Sequence, residues 1–120
     1  MTAEARRAAE RLGHGAEARA LWWLRLKGYR TVARRFRCAA GEIDLIVRRG
    51  RALAFVEVKA RADAAAAAEA VSPRQRQRIL RAAEVFLQRR PELAELEQRF
   101  DAVLIAPGHR PRHLPDAWRP

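Results

Sequence analysis

The chain has 120 residues, 49% hydrophobic and 32% charged, with 25 basic against 14 acidic residues and a formal charge of +11. That is one domain's worth of chain, too apolar for a disordered segment and without the run of roughly 20 apolar residues a membrane span needs. The charge points to a polyanionic partner, nucleic acid first, although an Arg- and Ala-rich composition accounts for part of it.

The N-terminal segment, Ala, Glu, Arg and Leu over residues 3–12, lacks the apolar stretch of a signal peptide. Gly13, His14 and Gly15 interrupt it, so residues 1–14 read as an arm or weak helix ahead of a single domain at 15–120. From Ala16 to Lys27 an apolar stripe of Ala20, Leu21, Trp23 and Leu24 predicts a helix, with Gly28 where a C-cap glycine belongs. Three extended segments follow: Tyr29 to Arg37, Glu42 to Arg48, and Ala52 to Lys59. The last two flank Arg49-Gly50-Arg51, a short glycine-containing connection that predicts an antiparallel hairpin. Residues 60–70 are alanine-rich without large apolar side chains, which predicts a mobile loop or a weak helix.

Ser72-Pro73-Arg74-Gln75 is a helix start, with Ser as N-cap, Pro at N1 and Gln at N3 placed to close a capping box. Ile79, Ala82, Ala83 and Phe86 form the inward stripe of that helix, and Pro91 closes it. Residues 92–98 allow a short turn, Phe100 to Ala106 a fourth strand, and Arg112 to Leu114 a short fifth.

Between Ala18 and Ala62 the only acidic residues are Glu42, Asp44 and Glu57, set among twelve basic ones. Side chains alternate along a strand, so Glu42 and Asp44 share one face, as do Glu57 and Lys59; a hairpin with those faces aligned brings the four together. Two carboxylates suit a hard divalent cation, Mg²⁺ or Mn²⁺, with the Val58 backbone carbonyl as a further ligand. Such an ion neutralises a scissile phosphate and lowers the pKa of an attacking water. Lys59 is one of two lysines, with Lys27, against 23 arginines. Lys can lose its proton and Arg cannot, so a lysine kept here suits a site that positions or deprotonates a water. The bland alternative is a solvated Glu-x-Lys face paired with cross-strand arginines. Glu17 lies on the helix stripe facing the sheet, as either a locally satisfied carboxylate or a further acidic member of the site.

The runs Gly41-Glu42-Ile43-Asp44-Leu45-Ile46 and Phe55-Val56-Glu57-Val58-Lys59-Ala60-Arg61 resemble the signature of the bacterial YraN family. Gly15 and Glu17 resemble its helix-one glycine and glutamate, and Arg99-Phe100-Asp101 its late strand motif. That family is similar to Holliday-junction resolvases and the restriction-endonuclease-like fold, so the resemblance implies an α/β fold with a mixed central sheet flanked by helices. It sets Asp44, Glu57 and Lys59 at the PD-(D/E)xK catalytic positions, with Glu17 as an additional acid and Glu42 in the motif but outside the core three. Related resolvases pair on symmetric junctions, so a homodimer is one expectation, although the sequence does not fix the oligomeric state. The sequence departs at Gln75, where many members carry a lysine, and at Phe36, where an asparagine is usual.

Arg35, Arg37, Arg48, Arg74 and Arg76 surround these positions as candidate phosphate contacts, with DNA preferred over RNA. The single cysteine, Cys38, forms no internal disulfide and reads as a small packed residue in a reducing cytoplasm. His109 and His113 have a helical zinc spacing, but the Arg-Pro-Arg between them forbids a helix. Trp22 and Trp23 adjoin and cannot share a helix face, so at least one is expected in the core, and Trp118 is expected to pack back on the body. The leading expectation is a metal-dependent endonuclease-like protein acting on DNA. The others are a non-catalytic nucleic-acid-binding module and an adaptor for an acidic protein partner.

Overall fold

The computed structural model describes residues 3–60 and 71–120, with the side chains of the first helix described from Gly15 onward. The expectations for residues 61–70 lie outside the described residues.

Helix α1 spans Ala3–Leu26. It runs without a break through Gly13-His14-Gly15, where the glycines lead one to expect an interruption. A helical glycine costs only about 1 kcal/mol relative to alanine, and the flanking Ala, Glu, Arg and Leu are good helix formers. The helix ends in a Schellman arrangement: Tyr29 N–H donates to Leu24 C=O at 3.0 Å across Gly28, whose φ of +93° favours glycine.

Strands β1 (Arg30–Cys38), β2 (Gly41–Arg49) and β3 (Ala52–Ala60) follow, then α2 (Pro73–Arg89), a short 3-10 turn (Pro91–Leu93), β4 (Glu97–Ile105) and β5 (Arg112–Leu114). The five strands form one mixed sheet in chain order. Neighbours are antiparallel except β3 and β4, which α2 joins as a parallel pair. The β2–β3 hairpin is the one the sequence predicts, turning through Gly50-Arg51 with Arg49 opposite Ala52. Strand β4 begins at Glu97 rather than Phe100, because Glu97 N–H reaches Arg51 C=O at 2.7 Å and lengthens the parallel ladder.

Helices cover both faces of the sheet. On one, α1 buries Ala16, Ala20, Leu21 and Leu24 against Leu45, Val47, Ala54, Val56 and Val103. On the other, α2 buries Ile79, Ala82, Ala83 and Phe86 against Ile43, Ile46, Leu53, Phe55 and Phe100. Each such Leu, Ile or Phe contributes about 1.5–3 kcal/mol of transfer free energy. The expectation that Trp22 or Trp23 reaches the core is corrected: Trp22 is exposed and Trp23 half-buried, because Leu21 and Leu24 already fill the stripe that faces the sheet. Trp118 does pack back, stacking on Phe100 with ring centroids 4.3 Å apart. No helix among the described residues is long and apolar enough to cross a membrane.

Strand β4 also carries Asp101, fully buried. Arg99 grips both its oxygens at 2.8 Å, His113 Nε2 lies 2.8 Å from Oδ2, and Asp116 N–H donates to Oδ1 at 2.9 Å. A carboxylate with four donors in a dry interior has its charge satisfied, and these bonds hold it well below the usual carboxylate range despite its burial. The same bonds hold β5 and the C-terminal segment to β4.

Candidate functional site

The regular β2–β3 ladder stops at Leu45 opposite Val56. One rung further Asp44 faces Glu57, and there a side chain replaces the backbone partner: Val58 N–H donates to Asp44 Oδ2 at 2.8 Å. The pleat breaks at the same place. Leu45 and Val47 pack on the α1 side, yet Ile43, two residues away, packs on the α2 side with Ile46. Across the β1–β2 pairing, Arg35 sits at the level of Asp44 and has a φ of +50°, rare for a residue with a side chain. Both strands change faces at this rung.

The break, together with the end of the hairpin ladder, brings Asp44 and Glu57 together. They lie close enough for each to act on the other's ionisation. Burial is the largest influence on each. It raises Asp44, aided by the charge of Glu17 and opposed by the Val58 amide. It pushes Glu57 up to about 8, aided by the Asp44 charge and opposed by Lys59. Lys59 Nζ lies 3.3 Å from Glu57 Oε1. The Lys59 ammonium opposes the rise of Glu57 that burial and the Asp44 charge produce.

The side chain of Gln75 donates from Nε2 to Glu57 Oε1 at 2.8 Å. Gln75 therefore does not close the expected capping box. Ser72 Oγ caps α2 through the Gln75 amide at 3.2 Å, and the Gln75 side chain turns to the site because Glu57 offers a buried acceptor there. The sequence marks Gln75 as a departure from the YraN pattern without revealing this contact. Glu42 lines the same small hollow of about 90 Å³ as Glu57, Gln75, Arg78 and Ile79, but its carboxylate is exposed and engages Arg37 at 3.2 Å. The hollow is tight: a Cβ on Gly41 would stand 3.0 Å from the Arg78 carbonyl oxygen and 3.2 Å from its Cβ. Glu17 is gripped by Arg35 at 2.7 Å, so its carboxylate is locally satisfied while its field still reaches Asp44.

Most of the candidate phosphate-contacting arginines have partners within the chain. Arg35 holds Glu17, Arg37 holds Glu42, and Arg48 donates to Gly50 C=O at 3.0 Å. Arg76 donates to Val71 C=O at 2.9 Å and lies over the Trp118 ring. Arg74 is exposed on the first turn of α2, with no hydrogen-bond or ion-pair partner among the described residues. Phe36 packs edge-on against Phe86 at 5.1 Å, which accounts for an apolar residue there. Cys38 packs against the α2-side core, and His113 is committed to Asp101.

No cluster of three or more His, Cys, Asp or Glu side chains that could hold a metal occurs among the described residues. The donor set at the Asp44–Glu57 pair fits a hard cation nonetheless. A half-buried and a buried carboxyl, both raised, form a site that a divalent ion relieves, and Mg²⁺ needs only one or two carboxylates beside water and substrate oxygens. In an extended strand the N–H and C=O of a residue project to the same side. Val58 meets Asp44 through its amide, so its carbonyl faces the same gap. A larger hollow, about 570 Å³, lies elsewhere, lined by Ala52, Glu97, Arg99, Asp116 and Trp118 near the beginnings of β3 and β4. It holds no comparable pair of perturbed carboxyls.

Comparison with known proteins places residues 16–105 within the model of an uncharacterised protein family, UPF0102. A UPF0102 protein of Parvibaculum lavamentivorans is 64% identical over 113 residues, covering 94% of this chain and 85% of its own. Another, from Paramagnetospirillum magneticum, is 54% identical over 119 residues, covering 96% and 92%. A third, from Rhodopseudomonas palustris, is 61% identical over 111 residues, covering 92% and 82%. The chain belongs to the UPF0102 family, the YraN family that its central motifs resemble.

Proposed function

We propose that the chain is a metal-dependent, endonuclease-like protein that hydrolyses nucleic-acid phosphodiesters, DNA in preference to RNA, with branched DNA as the favoured substrate. The observation that carries this reading is the meeting of Asp44 and Glu57, both raised, at the end of the hairpin ladder, with Val58 N–H on Asp44 Oδ2 at 2.8 Å and Lys59 Nζ 3.3 Å from Glu57. A mixed sheet with helices on both faces is compatible with the restriction-endonuclease-like class. A bound Mg²⁺ or Mn²⁺ would neutralise charge on the phosphate and acidify a water.

The chain's own residues have distinct parts in this reading. Asp44, Glu57 and the Val58 carbonyl supply the oxygen ligands. Lys59 holds a water for attack on phosphorus, with the sugar oxygen leaving. Gln75 fixes the Glu57 rotamer from α2. Arg74 and the arginines of the β1–β2 surface neutralise flanking phosphates. In the same reading the protein works in the cytoplasm, and two copies act together on a symmetric junction.

Calorimetric titration of Mn²⁺ into wild type and Asp44→Asn tests the site before a substrate is known: heat with wild type and none with the variant is expected. Plasmid, branched DNA and RNA are then assayed with and without metal. Cleavage that survives Asp44→Ala or Lys59→Ala overturns the catalytic assignment. The hold that Gln75 and Lys59 already have on Glu57 favours a second reading, a nucleic-acid-binding module that retains the fold without catalysis. Salt-dependent binding with no metal-dependent cleavage of any of the three substrates supports that alternative.

A further inference from the structure

Lys27 is the only lysine besides Lys59, and its ammonium belongs to a different cluster. It lies at the C-terminal end of α1, exposed, with Nζ in hydrogen-bond contact with His113 Nδ1. The opposite nitrogen of the same ring, Nε2, is 2.8 Å from Asp101 Oδ2. The His113 ring is almost wholly buried, at 2% exposure, and Asp101 is fully so. Tyr29 closes one side of the imidazole, edge-on with centroids 5.7 Å apart, and its hydroxyl accepts from Arg99.

Hydrogen bonding fixes the tautomer. An ammonium has only donors, so Nδ1 accepts from Lys27; Nε2 then carries the ring proton and donates it to the Asp101 carboxylate. The imidazole lone pair is aimed at the lysine nitrogen, and a buried carboxylate stands behind the ring to stabilise an imidazolium. This is the order carboxylate, imidazole, nucleophile, with an exposed amine in the nucleophile's place. Arginine, which supplies 23 of the 25 Lys and Arg side chains, could not take that part because it does not surrender its proton. An exposed amine backed by a base also distinguishes Lys27 from Lys59, whose side chain is only 18% exposed and lies against Glu57.

We propose that Lys27 is an acylation site, modified directly by small activated acyl donors of the acyl-phosphate class. In the reaction Nζ attacks the acyl carbon and the N–C bond forms. The acyl–oxygen bond breaks and phosphate leaves with the electron pair. Of the two protons Nζ gives up, one passes to His113 Nδ1 and on to water before the attack, freeing the nitrogen lone pair, and the other leaves with the phosphate as hydrogen phosphate. The product amide is neutral, so the end of α1 loses one positive charge and the ammonium contact to His113.

The full chain is incubated with acetyl phosphate, and occupancy at Lys27 and Lys59 is followed by peptide mass spectrometry beside N-acetyl-lysine amide as a free-amine standard. Lys27 is expected to react at least about ten-fold faster than both the standard and Lys59, a conservative share of what a positioned base contributes. A Lys27 rate at or below the standard overturns the proposal, and this comparison needs no variant. In His113→Gln, checked for folding by circular dichroism, the Lys27 rate is expected to fall to that of the standard. A folded variant with an undiminished rate overturns the assignment of His113 as base.

Discussion

Burial, aided by the Asp44 charge, pushes the Glu57 carboxyl up to about 8, and this has a measurable consequence for stability. Glu57 is raised from 4.5 to about 8, so the native state binds more protons than the unfolded chain between those values. Stability of the metal-free protein therefore falls as pH rises from about 4.5 to about 8, and is level above that. Asp44, raised as well, acts in the same direction. Glu57→Gln should flatten the Glu57 part of this dependence and be more stable than wild type at pH 8.5, by on the order of a few kcal/mol. Urea melts across the pH range check it; a wild-type curve that rises from pH 5 to 8 contradicts it. Asp101 behaves oppositely, because its charge is satisfied by Arg99, His113 and the Asp116 amide. Asp101→Ala strands those donors and should cost about 3–5 kcal/mol, read as a lowered melting temperature. The sequence made Asp44, Glu57 and Lys59 legible because strand alternation and rarity among arginines mark them. It could not reveal the Gln75 side chain on Glu57, since a glutamine at N3 has an equally good local use at the helix start.

Two element junctions set the geometry of the site. Strand β2 enters beneath α2 at Gly41, where an added Cβ meets the Arg78 backbone at 3.0 Å, well inside ordinary contact. Gly41→Ala should push β2 and α2 apart and destabilise by about 1–3 kcal/mol, with loss of Mn²⁺ binding if the site is a metal site. Ser72→Ala removes the cap that starts α2 and should cost about 1 kcal/mol by thermal melting, with the sheet intact. Helix α2 with its Ser72 cap, the second half of α1 and the hairpin follow from spacing and capping chemistry, so they could be read from sequence; the run of α1 back through Gly13 and Gly15 could not. The simultaneous change of face at Arg35 and Asp44 could not. An arginine at positive φ carries no local signal, and here the Glu17–Arg35 contact between α1 and β1 accompanies that conformation.

For the molecule as a whole, charge sets how a nucleic acid would be felt. With a net +11, binding to duplex DNA should weaken steeply with salt, the logarithm of affinity falling by about 0.9 per phosphate neutralised for each decade of salt. Arg74→Ala, at an exposed position with no partner among the described residues, should reduce that slope by about one by fluorescence anisotropy, with little effect on stability. An unchanged slope removes Arg74 from the contact surface. Tertiary features such as the seating of Trp118 on Phe100 could be foreseen only in outline, because the ring's partner lies 18 residues away in a strand. The borders of the sheet carry a last consequence. Strand β1 is irregular between Thr31 and Ala33, twists at Arg35 and is studded with arginines, and β5 is three residues long. Neither border offers a flat, unhindered row of amides for another strand to join. The sheet is thus guarded against edge-to-edge growth into fibres.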